Sequence, residues 1–115
     1  MVPGKEFESG PMITWAYIYG HPESDPAGDR TFHERGGQRT ILVPVPDEAS
    51  APGVALDLID HDGVELIELC GGFSAPDAAR VIEAVDGRVP VGHVAYALES
   101  VDGASAYKRK FEEQA

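Results

Sequence analysis

The chain has 115 residues, of which 43% are hydrophobic and 25% are charged, and its formal net charge is −11 at pH 7. This length predicts one domain with an ordinary hydrophobic core. The acidic balance predicts no binding to nucleic-acid phosphates, which requires clustered Lys and Arg, and none to anionic membranes.

The cysteine and hydropathy patterns favour a cytoplasmic location. Cys70 is the only cysteine, so no disulfide can form within the chain, and nothing in the pattern points to secretion. No apolar run approaches the ~20 residues that span a bilayer. The first residues also lack the basic and apolar pattern of a signal peptide.

The first residues of the chain differ in character from those that follow. Residues 1–11 carry Gly, Pro and charge without periodicity, which predicts an N-terminal tail before a single domain over residues 12–115. Residues 12–19 are aromatic and β-branched without charge, a pattern typical of a strand buried on both faces.

A polar segment over residues 23–35 follows the first strand. Asp25 and Pro26 together predict a helix start, with the acid as N-cap and proline at the first helical position. The pair Gly36-Gly37 predicts its end. We therefore expect a short helix between the first two strands.

The next strand and helix are marked by prolines and glycine. Residues 40–45 predict a second strand, and Pro44, which has no N–H to donate, places it at a sheet edge. A helix is predicted from about Ala51 to Asp62, with Ser50 as cap and Gly63 as stop. Its inward stripe comprises Ala55, Leu58 and Ile59.

The most distinctive stretch of the chain, GVELIELCGGFS, predicts a third strand over residues 64–70 and a glycine turn. A helix follows, in which Ser74 and Asp77 form a capping box and Gly87 is the stop. Its inward face comprises Ala78, Val81, Ile82 and Val85.

Two elements complete the chain. Residues 89–97 predict a fourth strand, which Pro90 places at an edge. From about Gly103, Tyr107 and Phe111 lie at helical spacing and predict a C-terminal helix.

Strand and helix alternate four times, which predicts an α/β fold with parallel strands joined by right-handed crossovers. The edge prolines give the order 2-1-3-4, a small flavodoxin-like or Rossmann-like sheet with helices on both faces. A ferredoxin-like fold is the alternative if a helix is absent. In such sheets ligands bind beyond the carboxyl ends of the strands where the winding reverses, here between the first and third strands.

This rule selects the candidate ligand-binding residues. The turn before the third helix offers free amides and a helix dipole, which favour a small polar or anionic ligand. The alternative is that its glycines only shape a tight turn. The candidate ligand-binding residues are Tyr19, Gly20, Cys70, Gly71, Gly72, Phe73, Ser74 and Tyr96.

Three residues are candidates for catalysis. Glu68 lies near the end of a predicted central strand, where burial would raise its pKa and suit it to general acid–base chemistry. His21 and His93 follow or lie within strands that end at the same edge. The alternative for Glu68 is a structural hydrogen bond, and Cys70 is expected to pack rather than to act as a nucleophile. The histidine spacing matches no metal motif, so no metal or cofactor is predicted.

The stretch LIELCGGF, followed by AARVIEAVDGRVPVG, resembles a family of short bacterial α/β domains of unknown function that carry an IELCGGF core and a PVG strand. The resemblance covers roughly residues 12–97. It implies a parallel α/β fold and no activity, cofactor or partner.

Two functions of different classes follow from the residues. The first is a module that binds a small polar or anionic ligand. The second is a small enzyme in which Glu68 is the general acid or base and His21 or His93 assists. A structural or protein-interaction domain is the third interpretation. The basic run Lys108-Arg109-Lys110 predicts a solvated helix face, and the alternative on an acidic chain is self-association into a homodimer through helices.

Overall fold

The computed structural model describes residues 12–114. The strands within this range are β1 (Ile13–Gly20), β2 (Thr31–Arg35), β3 (Gln38–Val45), β4 (Ile67–Leu69) and β5 (Val91–His93), and the α-helices are α1 (Ala51–Asp62), α2 (Ala75–Val85) and α3 (Val101–Gln114). Short 3-10 turns, Glu48–Ser50 and Leu98–Ser100, precede α1 and α3. The predicted tail, residues 1–11, lies outside the described residues.

The strands form one sheet in the order β2-β3-β1-β4-β5. Neighbours among β3, β1, β4 and β5 are parallel, and β2 is antiparallel to β3. The α/β fold and the mostly parallel sheet are therefore confirmed, whereas the four-stranded order 2-1-3-4 is incomplete because it lacks β2. The predicted edge position of Pro44 is wrong. Because β2 pairs with β3 only as far as Leu42, Pro44 lies beyond that ladder and no bond is lost there.

The predicted helix over residues 23–35 is wrong, because this segment forms one turn and then β2. The Asp25 carboxylate accepts a hydrogen bond from the Ala27 amide at 3.2 Å, as an N-cap would, but the turn does not continue. The segment has no apolar stripe with which a helix would pack. Gly36 and Gly37 have φ values of 65° and 79°, which are those of a two-residue hairpin turn.

The core occupies one face of the sheet. Alternate residues of β1, β3 and β4 face α1 and α2, which pack against each other. The buried side chains shared by these elements are Ala16, Ile18, Ile41, Val43, Val45, Ala51, Ala55, Leu58, Ile67, Leu69, Ala78, Val81 and Val85. The prediction of helices on both faces is wrong.

The opposite face of the sheet, called here the open face, has no described helix packed on it. The connections β3–α1–β4 and β4–α2–β5 both step in the same direction along the sheet. Right-handed crossovers in one direction place their helices on the same face. The connection from β1 to β3 runs in the opposite direction along the sheet, so a right-handed crossover helix there would lie on the open face. This connection contains no helix; it contains β2, which forms a hairpin with β3.

The first strand therefore has two unlike faces rather than two buried ones. Ala16 and Ile18 are buried in the core, whereas the alternate residues Trp15, Tyr17 and Tyr19 on the open face are half-buried. Ile13, on the same side, is 67% exposed. The uncharged run in the sequence gave no sign of this asymmetry, because aromatic residues are compatible with either environment.

The helix ends largely follow the predicted capping chemistry. Gly63 ends α1 with φ 67°, but Ser50 makes no side-chain cap bond there; instead the Asp47 carboxylate accepts from the Ser50 amide at 3.0 Å. The predicted stop at Gly87 is one residue late, because Asp86 in the left-handed conformation ends α2. Ile82, predicted to face the core, is 50% exposed.

The predicted third and fourth strands are β4 and β5, and both are shorter than predicted. Strand β5 lies at an edge of the sheet, as Pro90 indicated. The C-terminal helix is confirmed as α3. Within residues 12–114, no helix combines the length and the apolar character needed to cross a bilayer.

Substitution of Gly36 tests the hairpin. We expect Gly36→Ala to lower the free energy of unfolding by roughly 1–2 kcal/mol, because an L-residue at this positive φ is strained. Gly53→Ala is the matched control. Gly53 lies in α1 with open space around its Cα, so alanine there is expected to stabilise by roughly 0.5–1 kcal/mol. Urea unfolding measures both. Stabilisation by Gly36→Ala would contradict the hairpin.

Candidate functional site

The carboxyl ends of β1, β4 and β5 meet at one edge of the sheet. The Cys70 amide donates to the Ile18 carbonyl at 3.0 Å, and the Val94 amide donates to the Leu69 carbonyl at 2.9 Å. The turn after β4, the end of β1 and the segment after β5 are therefore neighbours. This is the place that the reversal of winding predicts for a ligand.

Four titratable side chains lie near this edge: Tyr17, Glu68, Cys70 and Tyr96. Cys70 is half-buried and packs against the core, as expected from the sequence. Tyr17 is the β1 partner of Glu68 in the parallel register. Burial raises the pKa of the Tyr17 phenol above its ordinary value of 10.0, and negative charge on Cys70, Tyr96 and Glu68 raises it further. These three groups are thus close enough to Tyr17 to disfavour its ionisation.

Glu68 lines an open pocket of about 270 Å³ together with Gly92, His93 and Val94. Its side chain lies on the open face, since its neighbours Ile67 and Leu69 are buried in the core. Glu68 is half-buried, and within residues 12–114 its carboxylate has no hydrogen-bond or ion-pair partner. A structural bond to the turn amides, the alternative for this residue, is therefore not formed by the described residues.

His93 lies in the same pocket and is held by the turn. Its Nε2 is 3.0 Å from the Phe73 carbonyl oxygen. Because a carbonyl only accepts, Nε2 is the donor, and in the neutral ring Nδ1 is then an acceptor. The structure thus brings Glu68 and His93 to one pocket.

His21 belongs to a different pocket. This second hollow, of about 450 Å³, is lined by Tyr19, His21, Pro22, Glu23, Ser24, Asp29 and Pro44. The His21 Nδ1 is 3.1 Å from the Pro22 carbonyl oxygen. Strand β1 separates the two pockets, with Tyr17 and Tyr19 stacked at 6.1 Å between ring centroids. Of the two histidines, only His93 shares a pocket with Glu68.

The two glycines of the turn have different roles. A Cβ atom on Gly71 would lie 2.7 Å from the Tyr96 hydroxyl oxygen, so the tyrosine ring lies directly over the Gly71 backbone. A Cβ atom on Gly72 would lie 3.6 Å from the Cys70 sulfur, an ordinary contact. Close approach of Tyr96, rather than backbone strain, accounts for glycine at position 71.

The start of α2 already carries a negative charge. The Ser74 hydroxyl accepts from the Asp77 amide at 3.2 Å and donates to the Asp77 carboxylate at 2.9 Å. Asp77 also pairs with Arg80. This intrahelical carboxylate occupies the favourable position at the helix dipole, so an external anion gains little there.

The remaining predicted site residues, Phe73 and Gly20, do not line the Glu68 pocket. Phe73 is 3% exposed and packs into the core rather than lining a pocket. Gly20 is exposed, with its Cα facing the Glu48 carboxylate. Within the described range, no three His, Cys, Asp or Glu side chains are placed to hold a metal ion.

Sequence reasoning missed Tyr17, Gly92 and Val94. The alternation of β1 would have identified Tyr17, because it lies on the same side as Tyr19 and two residues nearer the centre of the strand. Gly92 and Val94 carry no chemical signal of their own. They line the pocket only because β5 pairs with β4 in this register.

A family model of unknown function, DUF6506, matches residues 13–109. This confirms the expected membership in a family of unknown function, but it tests neither the IELCGGF core nor a bacterial origin. No curated protein and no solved structure matches the chain.

The raised pKa of Tyr17 predicts a change of stability at high pH. Its folded-state pKa lies above 10.0, so the native state holds this proton longer than the unfolded state. The contribution of Tyr17 to stability is therefore present below pH 10 and is lost as the pH rises through the folded pKa. We expect Tyr17→Phe to abolish this loss of stability at high pH. In an ultraviolet absorbance titration, we expect the same substitution to remove the phenol that ionises at the highest pH. Tyr107→Phe, on exposed α3, is the control, and a late phenol that survives Tyr17→Phe would contradict the assignment.

Proposed function

The chain belongs to the DUF6506 family, and we propose that it binds a small polar ligand at the carboxyl ends of β4 and β5, through a cationic or hydrogen-bond-donating group of that ligand. The anchor in this proposal is Glu68. The proposal keeps the predicted edge of the sheet and the polar ligand. It moves the site from between β1 and β4 to between β4 and β5, and it favours a donor over an anion.

The unpartnered carboxylate of Glu68 is the observation that carries the proposal. A half-buried carboxylate has lost part of its hydration, and it gains most from a charged or N–H donor that restores those hydrogen bonds. Gly92, the β5 partner of Glu68, has no side chain to cover the carboxylate, and even a Cβ atom there would lie in ordinary contact at 3.8 Å from the Glu68 Cγ, so Glu68 is open to a ligand on this side. A hydrogen-bond donor of a ligand at this point would form the bonds to the Glu68 carboxylate that no described side chain forms.

The size and lining of the pocket support a small ligand with a flat or apolar part. Its volume of about 270 Å³ is at the lower end of the range for small-molecule sites. Tyr17 lies beside Glu68, and Tyr96 covers the neighbouring Gly71. A tyrosine ring adds roughly 0.5–2 kcal/mol when a cation lies over its face.

An anionic ligand fits the site less well. The nearest helix N-terminus is already neutralised by Asp77, and Glu68 would repel a negative group in the pocket. The net charge of −11 adds to this repulsion at long range.

An enzyme is the second candidate, and the presence of Glu68 and His93 in one pocket favours it. In this alternative Glu68 accepts a proton from the bound molecule. His93, with Nε2 donating to Phe73, has Nδ1 as its remaining acceptor. A ligand that is chemically altered on incubation, observed by NMR, would support this alternative if Glu68→Gln stopped the change.

The binding proposal is tested by thermal shift and calorimetry with benzamidine and ethanolamine as cationic probes and phosphate and acetate as anionic ones. At ten times Kd a ligand stabilises by about 1.4 kcal/mol, which raises Tm by roughly 5 °C in a domain of this size. We expect this shift with a cationic probe and not with phosphate.

Glu68→Gln is expected to weaken binding of the cationic probe at least about tenfold, the loss of a charge-assisted hydrogen bond. Glu83→Gln, which removes the same charge from the exposed side of α2, is the control and should bind as the wild type does. Stabilisation by phosphate alone, or no response to any probe, would contradict the proposal.

A further inference from the structure

The C-terminal helix α3 has no partner in the described part of its own chain. None of its 14 residues is buried, and all except Ala104 are exposed. Isolated helices of this length are marginal in water, and Gly103 within α3 weakens it further. A surface that packs against α3 is therefore needed to keep it helical.

One side of α3 is built for such packing. At 100° per residue, Val101, Ala104, Tyr107 and Phe111 fall within an arc of about 120°. Tyr107 and Phe111 are 62% and 52% exposed, and their rings meet edge to face at 5.2 Å. The helix thus presents a preformed aromatic edge that covers nothing in residues 12–114.

The open face carries a matching surface, called here the apolar patch: Ile13, Trp15, Tyr17, Leu42 and Leu66. These residues are adjacent because Tyr17 pairs with Leu42 in the β1–β3 register and the Ala16 amide bonds to the Leu66 carbonyl. Most of the patch lies toward the amino side of the Glu68 pocket, and the two share Tyr17, the β1 partner of Glu68. A helix on the patch would therefore border that pocket at Tyr17.

The dimensions of the two surfaces agree. The 14 residues of α3 extend about 21 Å at 1.5 Å per residue. The patch lies on β3, on β1 and just before β4, and three strands spaced about 4.8 Å apart measure roughly 10 Å between the outer ones. One helix is therefore long enough to cover the patch.

The middle of α3 carries a local positive charge, and the body of the protein is acidic. Three of the nine basic residues, Lys108, Arg109 and Lys110, lie together there, while Asp102, Glu112 and Glu113 nearer the helix ends bring the net charge of α3 to zero. The rest of the chain then has six basic and 17 acidic residues. In its own chain, however, α3 extends away from the sheet, and the molecule measures 55 × 28 × 28 Å. A second copy therefore supplies the surface.

We propose that the protein forms a homodimer by reciprocal exchange, in which α3 of each subunit lies across the apolar patch of the other. One two-fold axis then covers both open faces and both unpartnered helices, which is the self-complementary arrangement of isologous dimers. The symmetry doubles the buried surface area, because each dimer contains two helix–sheet contacts. Stable interfaces bury roughly 1,200–2,000 Å² in total. This proposal does not depend on the ligand proposed above.

Sedimentation equilibrium of the full chain tests the exchange. We expect twice the chain mass for the wild type, and at least about tenfold weaker dimerisation for Tyr107→Ser and for Phe111→Ser, as for truncated aromatic anchors. Both side chains touch no core residue, so the subunit fold should survive. Leu42→Glu on the patch is expected to act in the same way.

Two controls separate this surface from others. Ile82→Ser removes an exposed apolar side chain from α2, and Ala106→Ser changes the opposite side of α3; both should leave the dimer intact. A monomeric wild type, or a dimer that dissociates with Ile82→Ser and not with the α3 variants, would overturn the proposal.

Cross-linking distinguishes exchange from a helix that folds onto its own sheet. In a Cys70→Ser background, chains with Thr40→Cys, beside the patch on β3, are mixed with chains with Ser105→Cys, beside the aromatic side of α3, and treated with a short bis-maleimide. Exchange predicts a covalent pair containing one of each chain. A single chain carrying both cysteines that cross-links internally, without a pair in the mixture, would overturn it.

Discussion

The structure depends on the covering of a single sheet face. Both helical crossovers step in the same direction, so α1 and α2 lie on the same side and pack against Ala16 and Ile18 of β1. The pairing register then determines which side chains lie on the other face. A slip of one residue would exchange the core set for the aromatic set, so the cost of exposing the core keeps Trp15 and Tyr17 outside.

The same constraint produces the candidate site. Because Glu68 alternates with the buried Ile67 and Leu69, it must project from the open face, next to Tyr17 of β1. The turn after β4 brings Tyr96 over Gly71, where only glycine leaves room for the ring. A carboxylate, two phenols and an imidazole are thus collected at one strand end, where the imidazole is held by the Phe73 carbonyl and the carboxylate has no partner among the described residues.

The sequence was informative where a local signal and the packing agreed. The apolar stripe and Gly63 predicted α1, and Ser74 with Asp77 predicted the start of α2. The reversal of winding predicted a site between β1 and β4, whereas the pocket that contains Glu68 lies one strand further along, between β4 and β5. The open face was not predictable from β1 alone, since its aromatic side has no charge. The error arose at Gly36-Gly37, because glycines that end a helix also form a hairpin turn, and the choice depends on pairing with β3. Without a helix at residues 23–35, nothing on the described chain covers the second face.

Trp15, the only tryptophan, reports on this face most directly. Acrylamide quenching of its fluorescence, measured over a range of protein concentrations, tests whether the sheet is covered on one face only within a subunit. We expect strong quenching of the dissociated chain at low concentration and shielding as the dimer forms. A Trp15 that is shielded equally at every concentration would show that the chain covers its own second face, and would contradict the one-sided sheet.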